Sequence, residues 1–151
     1  MEKTAETLII QVDRSVKPKY PDGTKKLIRP EFERTGPTEY DLMSLRQLVH
    51  KDREDGTSSG KLVYKHLKQT EAIKDCLNLQ DGQAIRDKGV EVFRKIFGEN
   101  YVFLWKSIAK NEDGDLRVPF LFAGVDSVII DWRWIGRKWH KSYCAFAFNP
   151  D

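Results

Sequence analysis

The chain has 151 residues, 40% of them apolar and 32% charged, and its 26 Lys and Arg against 23 Asp and Glu give a net charge of +3. That length can bury a core as a single domain over 1–151, and 4 Trp, 8 Phe and 5 Tyr exclude a chain disordered throughout. Two cysteines exclude a disulfide-built scaffold, and no run approaches the ~20 apolar residues of a membrane helix, so no membrane partner is expected.

Thr7 to Val12 (TLIIQV) is β-branched and apolar and predicts a short strand. Residues 15–37 follow with four prolines, Pro18, Pro21, Pro30 and Pro37, and with the turn Tyr20-Pro21-Asp22-Gly23. Such a segment is expected to be irregular, with Leu27, Ile28 and Phe32 pinning it to the core. Thr38 and Asp41 then resemble a capping box, and Leu42, Leu45 and Val49 recur at helical spacing, which predicts a helix. It is expected to end in the polar KDREDGTSSG of residues 51–60. Ser58 or Ser59 can cap a second helix from Lys61 to Gln69, with Leu62, Val63 and Leu67 on one side. Thr70 restarts a short helical stretch with Ile73 and Cys76.

Ile85, Val92, Phe93, Ile96 and Phe97 lie at i, i+7, i+8, i+11 and i+12, which predicts one helix over 82–97 stopped by Gly98. After Gly98 the period changes to that of strands. Asn100–Ile108, Leu116–Ala123, Ser127–Ile135 and Lys138–Phe148 read as four strands, with NEDGD (111–115) as a hairpin turn. Pro119 cannot donate to a ladder, so the second of the four is expected at an edge or broken there. The expected fold is therefore α+β. A strand and an irregular segment (1–37) lead into a helical half (38–98), packed on a C-terminal antiparallel sheet of about four strands (99–151). The N-terminal strand is a candidate addition to that sheet.

The basic and acidic side chains of residues 1–60 cancel at 11 each, so the excess of three sits in residues 61–151. Trp132 to Lys141 holds Arg133, Arg137, Lys138 and Lys141 and no acid. Cationic and aromatic residues interleaved in this way can hold a single-stranded nucleic acid, the rings stacking on bases and the cations meeting phosphates. Arg133, Arg137, Lys138, Trp139, Lys141 and Tyr143 are the candidate nucleic-acid contacts. Trp132 and Trp134 share a strand face with Val128 and Ile130 and read more readily as core, whereas Trp139, beside a turn, reads as exposed.

No phosphate-binding loop of the GxxxxGK[ST] or GxGxxG kind is present, and no cofactor is expected. His50, His66 and His140 stand alone in their segments, so no metal site is expected either. His140 and Cys144 are four apart on a strand, about 13 Å, too far for a nucleophile and its base, and no catalytic residue is assigned. Cys76 and Cys144 read as reduced, buried thiols. The N-terminus lacks the basic start and apolar block of a secretory signal, so the cytoplasm is expected.

The stretches YPDGTKKLIRPEFERTGPTEYDL, CLNLQDGQAIRDKGVEVFRKIF, VFLWKSIAKNEDGDLRVPFL and IIDWRWI resemble a family of small bacterial proteins known from metagenomic genomes, over about residues 9–149. The W-K-S and D-W-x-W pieces are the most specific. The resemblance implies a bacterial cytoplasmic protein and no activity, ligand or site. The leading functional expectation is a non-enzymatic binding module for nucleic acid. The alternatives are a protein-interaction or regulatory protein, docking by the edge near Leu116–Ala123 or by the Leu42–Val49 helix, and an enzyme without a recognisable motif.

Overall fold

A computed structural model describes residues 8–20, 24–48, 59–137 and 143–148. Its described elements are strands β1 (Ile9–Gln11), β2 (Thr24–Leu27), β3 (Glu39–Asp41) and β4 (Arg46–Leu48), helices α1 (Gly60–Gln69), α2 (Leu79–Asp87) and α3 (Val90–Phe97), and strands β5 (Tyr101–Phe103), β6 (Ala109–Asn111), β7 (Leu116–Ala123), β8 (Val128–Trp134) and β9 (Tyr143–Ala147). The architecture is mixed α+β, as expected, but strands flank the helices on both sides in sequence. The main sheet has seven strands rather than about four.

β7 is its axis. One edge of β7 pairs along its whole length with β8. The other edge meets β6 at Leu116–Arg117 and β5 at Phe120–Leu121, and β2 continues the sheet beyond β6. Beyond β5 the sheet runs through β9 to β4. β5 and β9 are parallel, Tyr101 facing Tyr143 and Phe103 facing Ala145, so the expected purely antiparallel sheet is in fact mixed. β1 does not join it but pairs with β3 as a separate ribbon.

The position of Pro119 explains why the edge expectation failed. Between β5 and β6 the chain leaves the ladder through a 3₁₀ turn at Trp105–Ser107. Pro119 lies opposite that gap and points its carbonyl to the Leu104 amide at 2.9 Å. Its ring nitrogen faces the same way, so neither β8 nor β6 asks it for a donor. A central strand therefore accommodates a proline, and among the described residues the open edge of this part of the sheet is β8.

The expected Leu42–Val49 helix is also absent over its described residues. The Asp41 carboxylate caps the Met43 amide for one 3₁₀ turn, Leu42–Ser44, after which Leu45 is extended and the chain enters β4 against β9. An i, i+3 spacing over so few apolar positions suits a single turn as well as a helix. The expected 82–97 helix is two, because Gly89 has φ +99° and separates α2 from α3. The apolar stripe survives the break: Ile85, Phe93 and Phe97 are all buried.

The two faces of the sheet carry two cores. α2, α3 and the β1–β3 ribbon pack Leu79, Ile85, Phe93 and Phe97 on Val102, Leu121 and Val128. α1 packs Val63, Tyr64 and Leu67 on Phe103, Trp105, Val118 and Ala145, with Tyr64 stacked 5.8 Å from Trp105. NEDGD is a turn as expected, the Asn111 side chain accepting from the Asp113 and Asp115 amides. Among the described residues no helix is long and apolar enough to cross a membrane.

Candidate functional site

The alternation of β8 divides its residues between the two cores. Val128, Ile130, Trp132 and Trp134 lie on the α2–α3 side, in a gradient from core to rim. Val128 is buried, Ile130 and Trp132 are half-buried, and Trp134 is 40% exposed. Trp132 meets the Tyr20 ring at 6.3 Å, so the proline-rich segment covers it. Ile129, Asp131 and Arg133 face the other side.

There Arg133 sets its guanidinium 4.9 Å from the centre of the Tyr143 ring. Tyr143 stacks on Tyr101 at 5.1 Å, because parallel pairing of β5 and β9 places the two directly side by side. Tyr101 in turn lies 5.4 Å from both Phe120 and Phe122. The result is a row of rings across three strands, half-buried at Tyr143, Tyr101 and Phe122, with one cation over its end. Arg137 is exposed in the turn after β8, where its carbonyl accepts from the Gly60 amide at 3.1 Å. Of the six candidate contacts, the structure thus brings Arg133 and Tyr143 together and places Arg137 at the end of β8. Lys138, Trp139 and Lys141 lie outside the described residues, as do His50 and His140.

A second constellation went unread in the sequence. Asp81, in the first turn of α2, is fully buried. Its carboxylate accepts from Arg14 Nη2 at 2.8 Å, from the Tyr40 hydroxyl at 2.7 Å and from the Asn78 amide at 2.9 Å. Asn78 completes a capping box with the Asp81 amide, and its side-chain nitrogen donates to the Phe32, Glu33 and Thr35 carbonyls. Arg14 also donates to Asn78 and Gln80 and to the Pro37 carbonyl. Its guanidinium lies where a side chain at Gly36 would stand: a Cβ there would be 2.4 Å from Nη2. Ser107 accepts from the Leu79 amide at 2.7 Å, and Lys106, 3% exposed, reaches Thr35 Oγ1 at 3.3 Å between the Phe32 and Phe148 rings.

Burial, and then the Asp81 charge, push the Tyr40 phenol well above its ordinary pKa, and burial pulls the Lys106 ammonium down. These groups are occupied with one another. They fasten residues 13–16 and 32–37 to the start of α2 and to the Trp105–Ser107 turn, on either side of β2, the strand that lies within the stretch expected to be irregular. The signal that could have found the cluster is Asn78-x-x-Asp81 before an apolar run, a capping pattern.

Elsewhere, a groove between β1 and α2 is lined by Val12, Asp13, Val16, Gln80, Gln83, Asp87 and neighbours, its carboxylates at an exposed rim. Cys76 and Cys144 are buried and stand outside any disulfide, the Cys144 sulfur accepting from Gln47 Nε2 at 3.1 Å, and burial pushes the Cys76 thiol up to about 12. Among the described residues no group of three His, Cys, Asp or Glu is placed to hold a metal. No family model, curated protein or solved structure matches the chain.

Proposed function

We propose that the protein is a small non-enzymatic binding module of the bacterial cytoplasm that holds single-stranded nucleic acid on the Arg133–Tyr143 side of its sheet. The observation that carries the proposal is the Arg133 guanidinium 4.9 Å over Tyr143, at the end of a row of half-buried rings. In this reading bases stack on Tyr143 and Tyr101, while Arg133 and Arg137 meet phosphates, joined by Lys138 and Lys141 from the β8–β9 connection. Trp139, in the same connection, supplies a further stacking ring. The resemblance and the two buried cysteines, neither in a disulfide, support the assignment to a reducing compartment.

Fluorescence anisotropy of a labelled single-stranded oligonucleotide, read across a salt series, tests it. Binding is expected to weaken steeply with salt, since neutralised phosphates release counterions. A salt-independent signal, or none, removes the proposal. The protein-interaction reading has one observation of its own, the edge of β8 that is open among the described residues, which replaces the β7 edge and the expected Leu42–Val49 helix as its docking element.

A further inference from the structure

β8 is seven residues long, and among the described residues nothing pairs with its outer edge. The Trp132 amide shows which backbone groups that edge offers. It turns away from β7 and donates to the carboxylate of its neighbour Asp131 at 2.7 Å. Because backbone groups alternate along a strand, Ile130 and Trp134 present theirs outward as well. An incoming antiparallel strand bonds to these even-numbered positions.

We infer that the outer edge of β8 is the contact for a second copy of this chain, pairing antiparallel about a two-fold axis at Trp132. Self-pairing about a two-fold allows few registers, and charge selects among them. With Ile130 opposite Trp132, Asp131 faces its own copy. With Trp132 opposite Trp134, Arg133 faces its own copy. With Ile130 opposite itself, Asp131 faces Ile129. Only with Trp132 opposite itself does Asp131 of each chain face Arg133 of the other, twice by symmetry. Opposite charges directly across a strand pair attract and like charges repel.

The same register sets Ile130 against Trp134 twice, covering an indole that is 40% exposed in the single chain. The Trp132 amide exchanges its local carboxylate for the other chain's carbonyl, which releases Asp131, and Arg133 turns from the Tyr143 ring towards the edge to meet it. The two sheets then run on as one, with both Tyr143 rows on the same side. The inference does not rest on the nucleic-acid reading and draws on the same Arg133, so a dimer formed this way competes with phosphate for that guanidinium.

Analytical ultracentrifugation of the full chain tests it, at up to on the order of 100 μM, where micromolar self-association is nearly complete. The expected species has twice the 17.6 kDa chain mass. Asp131→Arg sets like charges across the contact and is expected to weaken dimerisation at least tenfold. Arg133→Asp does the same, and the double exchange Asp131→Arg/Arg133→Asp restores the dimer. Circular dichroism confirms that each variant is folded, and Asp131 is exposed, so its exchange leaves the core intact. A wild-type chain that stays monomeric over the whole range overturns the inference. So does a dimer indifferent to both single exchanges, or one the double exchange fails to restore. Oligonucleotide affinity is measured separately and does not enter this outcome.

Discussion

Arg14 and Arg133 are the same residue put to two uses in one small protein. Arg14 donates to Asn78, Gln80, Asp81 and the Pro37 carbonyl, and its side chain is 10% exposed beside a fully buried carboxylate. Arg133 lies over a tyrosine ring on a half-buried sheet face. The first arginine is fixed by directional bonds whose partners have nowhere else to turn. The second lays its guanidinium along a ring, a contact by the face that leaves the plane's five donors to bonds of their own. On the proposed reading, the buried acid makes Arg14 a structural residue, and the accessible rings make Arg133 a binding one.

The sharpest way to break this comparison is to remove the acid. Asp81→Ala leaves Arg14 buried without its carboxylate and takes the acceptor from Tyr40 and from the Asn78 amide. A loss of about 3–5 kcal/mol in urea unfolding is expected, as for other buried pairs that lose one member. A loss below about 1 kcal/mol would show the cluster to be solvated and the contrast with Arg133 unfounded. Next comes Tyr40→Phe, which removes one hydrogen bond to a charged acceptor and keeps the ring against Phe148, 4.8 Å away. It is expected to cost about 1.5–3 kcal/mol by the same measurement.

The thiol of Cys76 sharpens the comparison through pH. Burial raises it from 9.0 to about 12, so the unfolded chain loses this proton before the folded one does. Stability contributed by this group is whole below pH 9 and drains away as the pH climbs towards 12. Cys76→Ala is therefore expected to flatten the fall of unfolding free energy over that window, in denaturant titrations at stepped pH. An unchanged slope would place the thiol in contact with water and count against a dry core beneath α1.

What the residues alone disclosed follows the range of each interaction. The stripe from Ile85 to Phe97, the strand Val128–Trp134 and the NEDGD turn depend on neighbours in sequence, and their periodicities could be read directly. The parallel pairing of β5 with β9 joins Tyr101 to Tyr143 and leaves no local trace. Pro119 misled because the gap that tolerates it is made by another segment, Leu104–Ile108. The Asp81 cluster was invisible for the same reason. Only its capping half, Asn78 with Asp81, is local, while Arg14 and Tyr40 arrive from 67 and 41 residues away. On the proposed binding face, Arg133 and the Tyr143 ring were legible as residue types, but the row of rings they join is assembled by the sheet.

The smallest effect belongs to Arg133 itself. Arg133→Ala is expected to change folding stability by only about 0.5–1 kcal/mol, the worth of a cation over a ring at an accessible site. Its consequence should lie in binding: weaker retention of a single-stranded oligonucleotide and a salt slope shallower by about one counterion. Arg133→Lys separates the two parts of that role. Lysine keeps the charge, so the salt slope should return to its original value. A compact ammonium lacks the planar face that lies along Tyr143, so the affinity at any one salt concentration should recover only in part. Full recovery with lysine would reduce Arg133 to a point charge. No recovery at all would mean that the guanidinium serves the fold as Arg14 does, and the distinction between the two arginines would collapse.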